Sequence, residues 1–274
     1  MTGEPPGTER TPRVVAARKL LRRAGRDRAG RFLVEGAQAV REALAWDGPV
    51  HELFVTPAAA QRHPDLVHAA AAARVRVSPV TDRAAESLSE TVTPQGFVAV
   101  CSLVDVPVAT ALAGRPTLVA VLVEVADPGN AGTVIRVADA VGAGAVLLVG
   151  DTVDPHNGKA VRASAGSFFH LPLARERDAT AALGACRDAG LTLLVADGRG
   201  ELDLHDPTAE ALLAGPVAWV FGGEAHGVPA AVAERAEHRV RVPIHGRAES
   251  LNLATAAAVC LYASVAARRR RVVP

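Results

Sequence analysis

The chain has 274 residues with a formal net charge of +1; 49% of them are hydrophobic and 3% aromatic. This length suffices for two domains with separate cores, while no apolar run is long enough to span a bilayer and the polar N-terminus lacks a signal-peptide core. Three widely spaced cysteines indicate neither a disulfide framework nor a zinc site, so we expect a cytoplasmic α/β protein without a bound metal.

The first segment of the chain is polar and then strongly basic. Residues 1–11 are predicted to be disordered, and "VVAARKLLRR" (14–23) is predicted to be a helix with one apolar side. Residues 1–31 carry nine Lys or Arg against three acids, which favours a polyanionic partner. We therefore predict that this segment contacts RNA through Arg18, Lys19, Arg22, Arg23, Arg26 and Arg28. The C-terminal run Arg268–Arg271 is interpreted as a solvated tail.

Residues 12–104 alternate between helical and extended patterns, which predicts a small α/β domain. The predicted helices after the first cover residues 37–46, 64–73 and 81–90, and the predicted strands cover residues 31–36, 50–56, 74–80 and 96–104. Residues 105–116, "DVPVATALAGRP", are predicted to be a linker because the alternation stops there.

The alternation restarts in residues 117–274, which are predicted to form a second domain. Its strands are nearly continuous apolar runs, as expected for a parallel sheet that is covered on both faces. The predicted strands are 117–125, 145–149, 168–173 ("FFHLPL"), 191–197, 217–222 and 238–244, and the predicted helices are 132–142, 158–165, 179–189, 229–236 and 250–269.

Three loops of unusual composition follow strands of this second domain, where open parallel sheets bind their ligands. The first is "EVADPGNAGTVIRVADA", residues 124–140. Asn130 is predicted to cap the following helix, and Arg136 is predicted to lie in its first turns, which together would bind an anion. Read alone, this loop fits an ordinary helix start with a surface arginine equally well.

The other two loops also have ordinary interpretations when each is read alone. "VFGGEAHGV" (220–228) could be a glycine-rich turn with a solvated Glu224, and it matches neither a dinucleotide fingerprint nor a phosphate loop. "VPIHGRAESLNLATAAAV" (242–259) contains Ser250, which is predicted to cap the last helix, and Asn252, which is predicted to lie in its first turn. His226 and His245 lack metal-ligand spacing and are interpreted as surface or supporting residues.

In combination the three loops are far more specific. The order Asn-x-Gly-x-x-x-Arg, Phe-Gly-x-Glu-x-x-Gly and Ser-Leu-Asn resembles the SpoU/TrmH family of RNA 2′-O-methyltransferases, of the SPOUT class. The resemblance covers residues 117–269 and includes "RASAGSFFHLPL". The front segments "GRFLVEGAQAVREAL" and "ELFVT" resemble the L30e-like substrate-binding domain of the ribosomal-RNA branch, which includes the thiostrepton-resistance methyltransferases.

The resemblance implies a SPOUT domain whose parallel sheet carries a deep trefoil knot, preceded by an L30e-like domain. It also implies that the knot forms a pocket for S-adenosylmethionine, with walls from "VAD" (195–197), the glycine loop and the segment from Val242 to Asn252. Glycines would let main chain approach the ligand, and apolar side chains would cover it. The cofactor-binding residues implied are Val195, Ala196, Gly222, Gly223, Gly227, Val242, Ile244 and Leu251.

The resemblance further implies methyl transfer to a ribose 2′-hydroxyl. A neutral hydroxyl is a poor nucleophile, so a group must take or weaken its proton. The family's candidate is Arg136, which either acts as the base together with an RNA phosphate or stays charged, clamps that phosphate and stabilises the developing alkoxide. Asn130 would orient Arg136 or the ribose, and Glu224, Ser250 and Asn252 would complete the hydrogen-bond network.

The expected partners are RNA, with 23S ribosomal RNA preferred, and a second copy of the chain that completes each active site. Transfer RNA as the substrate and a non-catalytic RNA-binding module on the same fold remain as alternatives, and base methylation is a third. A dehydrogenase is disfavoured because the nucleotide fingerprint is absent. A housekeeping role and self-resistance to an antibiotic are both open.

Overall fold

The protein is described here from a computed structural model that covers residues 5–46 and 50–272. The chain forms two compact units. One contains the described residues of Met1–Val104 together with Asp154–His170, and the other contains those of Asp105–Val153 and Leu171–Pro274. Residues 154–170, which are predicted from the sequence to belong to the second domain, lie in the first unit. Within the described residues, no helix combines the length and apolar character needed to cross a membrane.

The first unit is built on a mixed four-stranded sheet. Its strands are β1 (Arg31–Glu35), β2 (Val50–Val55), β3 (Arg76–Pro79) and β4 (Phe97–Ser102), in the order β1-β4-β2-β3. Strand β4 pairs antiparallel with β1 and β2, and β2 pairs parallel with β3. The helices are α1 (Pro12–Arg18), α2 (Arg23–Ala29), α3 (Ala37–Ala45), α4 (Pro57–Arg62), α5 (Pro64–Ala72) and α6 (Asp82–Glu86), with a 3₁₀ turn at Lys19–Leu21.

The start of the chain is more ordered than its composition suggests. Gly7 N donates to the Pro79 carbonyl, and the Gly7 carbonyl accepts from Thr81 N, which places residue 7 beside the end of β3. The disorder predicted for residues 1–11 therefore does not apply at this residue. Residues 1–4, which belong to the same prediction, lie outside the described residues.

The second unit contains seven strands that all pair in parallel, which confirms the predicted sheet. They are β5 (Leu118–Val123), β6 (Ala145–Val149), β7 (Leu173–Glu176), β8 (Thr192–Ala196), β9 (Leu202–Asp203), β10 (Val217–Gly222) and β11 (His238–Arg241). Their order is β7-β6-β5-β10-β8-β11-β9. Every residue of β5 and β6 is buried, because helices cover both faces. The trefoil knot stays a prediction.

The remaining helices complete the chain. They are α7 (Val108–Leu112), α8 (Pro128–Ala140), α9 (Gly158–Ala163), α10 (Ala179–Asp188), α11 (Pro207–Leu213), α12 (Ala230–Ala233) and α13 (Leu253–Val272). Helix α7 lies within the segment predicted as a linker, and Leu112 of this helix packs in the same core as Val121 and Leu183. The opposite face of the sheet carries Trp219, whose Nε1 donates to Ser264 Oγ of α13 at 2.9 Å.

One predicted strand, "FFHLPL" at 168–173, is wrong. Gly166 adopts a left-handed conformation with φ 97° and starts a 3₁₀ turn at Ser167–Phe169 in the first unit. Phe168 is buried against Phe32, with ring centroids 5.5 Å apart. These apolar residues are buried in a turn rather than in a strand. A short apolar run shows only that a segment is buried, so it could not separate the two.

Candidate active site

The glycine loop after β10 makes a tight turn at the carboxyl end of the sheet. Gly227 N donates to the Gly223 carbonyl at 2.9 Å, which closes the turn around Glu224. A Cβ on Gly222 would overlap the backbone of Gly227 and Val228, and a Cβ on Gly223 would overlap the Glu124 carbonyl oxygen. Both positions therefore require glycine because main chain packs directly against main chain.

A cavity of about 660 Å³ opens at the carboxyl ends of β8, β10 and β11. This volume is within the usual range for small-molecule sites. The segments predicted as pocket walls do line it, through Ala196, Gly222, Gly223, Glu224, Gly227, Val242, Ile244, Ser250 and Leu251. Ile244 and Leu251 each keep 37% of their surface exposed, which leaves apolar side chains available to cover a ligand.

The cavity wall is rich in carboxylates. Asp197, Asp203, Glu224 and Glu249 line it together with one cation, Arg241. Arg241 is already engaged, since it donates to Asp203 and to the Gly200 carbonyl. Excess negative charge favours a cationic ligand and disfavours a polyphosphate. S-adenosylmethionine carries a sulfonium cation, so the charge of the wall fits this cofactor.

A chain of amide and carboxylate groups joins the three predicted motifs beside the cavity. Asn252 Nδ2 donates to Asn130 Oδ1 at 3.1 Å, and Asn130 Nδ2 donates to Glu224 Oε1 at 2.7 Å. Glu224 itself lines the cavity. Three distant sequence segments are thus brought together at one edge of the sheet, as the combination of motifs predicts.

Both helix starts at this edge differ in detail from the prediction. Helix α8 begins at Pro128, and Asp127 caps it by accepting from Asn130 N at 2.8 Å. Helix α13 begins at Leu253, and the Asn252 side chain accepts from Ala254 N at 2.9 Å. The predicted caps Asn130 and Ser250 are therefore wrong. Their side chains are left available to the site.

Arg136 does not line the cavity of its own chain. It is the ninth residue of α8 rather than a residue of its first turns, and its side chain is exposed. Within the described part of the chain, it makes no hydrogen bond or ion pair with another residue. The predicted position of Arg136 in the first turns is therefore wrong, and its role in binding a phosphate stays a prediction. Arg136 lies about two turns beyond the start of α8, and its side chain is exposed to solvent.

Val195 is a second correction among the predicted site residues. Its side chain is 1% exposed and packs in the sheet core with Val220, because side chains alternate between the faces of a strand. Asp197 and Gly198, which follow the end of β8, line the cavity instead. Asp197 belongs to the segment 195–197 that was predicted to form a wall of the pocket.

The third correction concerns Arg26, which was predicted to contact RNA. Arg26 is 3% exposed, and its guanidinium pairs with Asp154 Oδ2 at 2.7 Å. The same group donates to the Leu20 and Leu21 carbonyls. Burial and paired hydrogen bonds make Arg26 a structural residue. The other five predicted RNA contacts are exposed: Arg18, Lys19, Arg22, Arg23 and Arg28.

Replacing Arg26 with alanine is expected to lower the free energy of unfolding of the first unit by about 3–5 kcal/mol, because it removes the positive charge that offsets the buried Asp154 carboxylate. Hydrogen exchange resolved to peptides of residues 1–104 measures this loss. The exposed Arg28→Ala is the matched control and should change stability by less than about 0.5 kcal/mol. Equal effects of the two variants would contradict a structural role for Arg26.

The same ion pair has a defined pH dependence. Burial raises the pKa of Asp154, but the hydrogen bond from His156 and the charge of Arg26 outweigh burial, so the pKa is held far below its ordinary value. The stabilisation by the pair is therefore complete above about pH 4, the usual range of an aspartate, and is lost as the pH falls through the lowered pKa.

The chain is similar to known proteins over both units. Residues 117–262 match the SpoU rRNA Methylase family, and residues 11–99 match the MRM3-like substrate binding domain. The 23S rRNA (guanosine(2553)-2′-O)-methyltransferase RlmP of Bacillus subtilis is 34% identical over 246 residues, which cover 89% of this chain and 92% of RlmP.

Solved structures with both units are also similar. An AdoMet-bound rRNA methyltransferase from Sinorhizobium meliloti has a TM-score of 0.81 and 29% identity, with 96% of each chain covered. The SpoU methyltransferase AviRb from Streptomyces viridochromogenes, in complex with AdoMet, has the same TM-score and identity over 96% of this chain and 100% of AviRb. The acidic cavity, the glycine turn and these matches together place the chain in the SpoU rRNA methylase family, as an S-adenosylmethionine-dependent RNA methyltransferase.

Proposed function

We propose that the protein methylates a ribose 2′-hydroxyl of 23S ribosomal RNA. The observation that carries the proposal is the hydrogen-bonded chain Asn252–Asn130–Glu224 at the edge of an acidic cavity of about 660 Å³. It unites a pocket suited to a cationic methyl donor with polar groups that can orient a ribose. RlmP, which is similar over 89% of this chain, is a 23S rRNA 2′-O-methyltransferase by name.

The cavity would hold the methyl donor largely through main chain. Gly222, Gly223 and Gly227 line the cavity with main chain, while Ile244 and Leu251 would supply apolar cover. Bound S-adenosylmethionine supplies an electrophilic methyl group on a sulfonium. The carboxylates of the wall offset that positive charge, and Glu224 lies where the wall meets the hydrogen-bonded chain.

The residues beside the cavity would prepare the hydroxyl for attack. The ribose hydroxyl would accept the methyl group that bound S-adenosylmethionine would supply, and its proton would pass to a base. Arg136 is proposed to assist in one of two ways, either as the base together with an RNA phosphate or as a charged group that clamps the phosphate and stabilises the alkoxide. Asn130 and Ser250 would position the ribose. Asn252 and Glu224 would hold the Asn130 side chain in place through their hydrogen bonds to it.

A second copy of the chain is proposed to complete the site. Arg136 is exposed and outside the cavity of its own chain, which leaves it accessible to a ribose bound at the cavity of a partner. Helix α8, which carries Arg136, packs against α13, and α13 exposes 53% of Tyr262. We infer that the α8–α13 surface pairs with its counterpart in a homodimer.

The exposed cations of the first segment are proposed to bind RNA phosphates. Arg18, Lys19, Arg22 and Arg28 lie outside any ion pair within the described residues, while Arg23 pairs weakly with Asp27 at 3.8 Å. RNA binding through such contacts weakens as salt rises. A ribose target also selects RNA over DNA, which lacks the 2′-hydroxyl. Because ribosomal RNA is its substrate, we place the enzyme in the cytoplasm.

The test is methyl transfer in vitro followed by analysis of the product nucleoside. Purified protein is incubated with isotopically labelled S-adenosylmethionine and, separately, a 23S rRNA transcript, total transfer RNA or a single-stranded DNA. We expect label on the 23S transcript alone, recovered as a 2′-O-methylnucleoside. Label on a base, or on transfer RNA in preference to 23S rRNA, would overturn the proposal.

A further inference from the structure

The last turns of α13 are rich in arginine and lie at the edge of the sheet opposite the cofactor cavity. Arg268 donates to Thr117 Oγ1 at 3.0 Å and to the Gly215 carbonyl at 2.9 Å. Thr117 and Gly215 come just before β5 and β10 and mark the edge where the parallel strands begin, whereas the cavity opens where strands end. The solvated tail expected from the sequence is therefore a helix that is anchored to the sheet.

The four arginines of this run differ in their surroundings. Arg268 is held by the contacts above, and Arg270 forms an ion pair with a glutamate of α11. Arg269 follows Tyr262 by seven residues, so it lies on the side of α13 that is proposed to face the partner. Arg271 follows Arg268 by three residues and lies on the same side of the helix as Arg268. It is exposed, and within the described residues its guanidinium makes no hydrogen bond or ion pair.

A fifth arginine joins this edge from another part of the chain. Arg115 lies two residues before Thr117, which Arg268 contacts, and two residues span at most about 7 Å. Arg115 is exposed and has a positive φ of 47°. In the described part of the chain, its side chain makes no hydrogen bond or ion pair. We define the C-terminal arginine cluster as Arg115, Arg268 and Arg271.

The ordinary explanation for arginines at the end of a helix is incomplete here. Cations in the last turn offset the negative end of the helix dipole, which accounts for Arg268 and Arg271. It does not account for Arg115, which lies in the turn before β5 and outside α13. Among the described residues, no carboxylate pairs with any member of the cluster. Three guanidinium groups without a carboxylate at one edge favour an anionic ligand, and their planar donors match phosphate.

Helix α13 sets the distance between the cluster and the candidate active site. It begins directly after Asn252, whose side chain belongs to the hydrogen-bonded chain beside the cavity. From Leu253 to Arg271 the helix rises by about 27 Å, at about 1.5 Å per residue. A stacked nucleic-acid strand advances by about 3.4 Å per nucleotide. An RNA whose reacting ribose lies at the cavity would therefore reach the cluster about eight nucleotides away.

We propose that the C-terminal arginine cluster binds the phosphate backbone of the substrate RNA, about eight or more nucleotides from the methylated ribose. Arg115 and Arg271 contact phosphates, and Arg268 adds positive charge from a fixed position. The inference rests on the proposed function, because the ligand is the RNA that the enzyme modifies. An acidic protein segment is the competing ligand class. RNA is favoured because a long polyanion can occupy the cavity edge and the cluster at once.

The first experiment measures affinity by fluorescence anisotropy for two RNA fragments centred on the methylated nucleotide. The long fragment extends about 20 nucleotides on each side, and the short one about four, which is too short to reach the cluster. Arg115→Gln combined with Arg271→Gln should bind the long fragment at least about fivefold more weakly, with a salt slope shallower by about 1.4, since each single-strand phosphate contact contributes about 0.7. Its affinity for the short fragment should stay within about twofold of wild type.

The matched control is Arg76→Gln combined with Arg177→Gln. It removes equal charge from exposed arginines that make no hydrogen bond or ion pair through their side chains within the described residues. We expect it to bind both fragments within about twofold of wild type. Thermal unfolding is recorded for every variant so that affinities are compared between folded proteins.

The second experiment locates the RNA beside the cluster. Arg271→Cys is labelled with a thiol-reactive iron–EDTA reagent, which cuts nearby RNA backbone through hydroxyl radicals. The three native cysteines are buried, so wild-type protein treated in the same way is the control and should give no cuts. We expect cuts in the long fragment at about eight or more nucleotides from the methylated position.

The outcomes separate this proposal from the proposed function. Equal weakening by the two arginine pairs, equal loss on both fragments, or no cuts beyond about four nucleotides would overturn the assignment of the cluster while methylation by the wild-type enzyme still stands. Tighter binding of a poly-glutamate peptide than of the long RNA, abolished by the cluster variant, would assign the cluster to an acidic protein partner and also overturn it. Absence of methylation by the wild-type enzyme would instead refute the proposed function.

Discussion

Replacing Arg136 with alanine is expected to slow methyl transfer to RNA by at least about 100-fold, the usual cost of removing a group that stabilises developing charge. Binding of S-adenosylmethionine should stay within about twofold of wild type, because Arg136 does not line the cavity of its own chain. Isothermal titration measures cofactor affinity, and a tritium-methyl transfer assay under single-turnover conditions measures the chemical step.

The matched control for this prediction is Arg177→Ala. Arg177 is another exposed arginine of the second unit, and within the described residues it makes no hydrogen bond or ion pair. It should retain wild-type activity. Full activity of Arg136→Ala would remove Arg136 from the mechanism, and parallel loss of cofactor binding would show that it supports the pocket instead.

Mixed dimers test whether Arg136 acts in the partner's site. Neither the Arg136→Ala homodimer nor a homodimer with a blocked cavity should be active. A heterodimer of the two contains one intact cavity that faces one intact Arg136 if the residue acts across the interface, and about half of the wild-type activity should return. No recovered activity in a purified heterodimer would place Arg136 and the cavity of the same chain in one site.

Replacing Gly222 with alanine is expected to weaken S-adenosylmethionine binding by more than about tenfold and to slow methylation by the same factor at low cofactor concentration. The added Cβ would overlap the backbone of Gly227 and Val228, neither of which can rotate away. The loop therefore has to shift, and overpacking of this kind typically costs about 1–3 kcal/mol, of which 1.4 kcal/mol already corresponds to a tenfold change in affinity. Isothermal titration gives the affinity directly.

Gly246→Ala is the control for the glycine prediction. A Cβ at Gly246 meets no atom within 4 Å, and its φ is not in the left-handed region. This variant should bind the cofactor like wild type. Thermal unfolding distinguishes a local change at the cavity from general destabilisation. Unchanged affinity in Gly222→Ala would show that the close packing of this turn does not shape the cofactor site.

The general architecture could be predicted because it depends on patterns that are local in sequence. Continuous apolar runs such as Leu118–Val123 and Ala145–Val149 predict strands buried on both faces, and both are fully buried. The combined motifs also indicated that Asn130, Glu224 and Asn252 belong to one site, and hydrogen bonds link these side chains.

Helix boundaries at the site were less predictable because several residues compete to cap one helix. "DPGN" contains two good caps, and Pro128 at the first helical position selects Asp127 over Asn130. In "SLN", Asn252 is the cap rather than Ser250. At α13 the local sequence alone does not separate the two caps.

Tertiary contacts account for the remaining differences. Nothing near Arg26 in the sequence shows that Asp154, 128 residues away, holds its guanidinium in the interior. Likewise, Val195 is buried because its side chain lies on the face of β8 that packs in one core with α10. The local sequence does not show which face that is. The roles of residues such as Arg26 and Val195 depend on distant partners and can be read only from the structure. The three loops could be identified from the sequence alone.

The most direct test of the account is a map of ribose methylation in ribosomal RNA from cells with and without this gene. A 2′-O-methyl group protects the adjacent phosphodiester bond from alkaline hydrolysis, so each methylated position appears as a gap in the cleavage pattern. We predict that one gap in 23S rRNA disappears when the gene is deleted and returns with the wild-type gene but not with Arg136→Ala. Identical 23S patterns in both strains would contradict it.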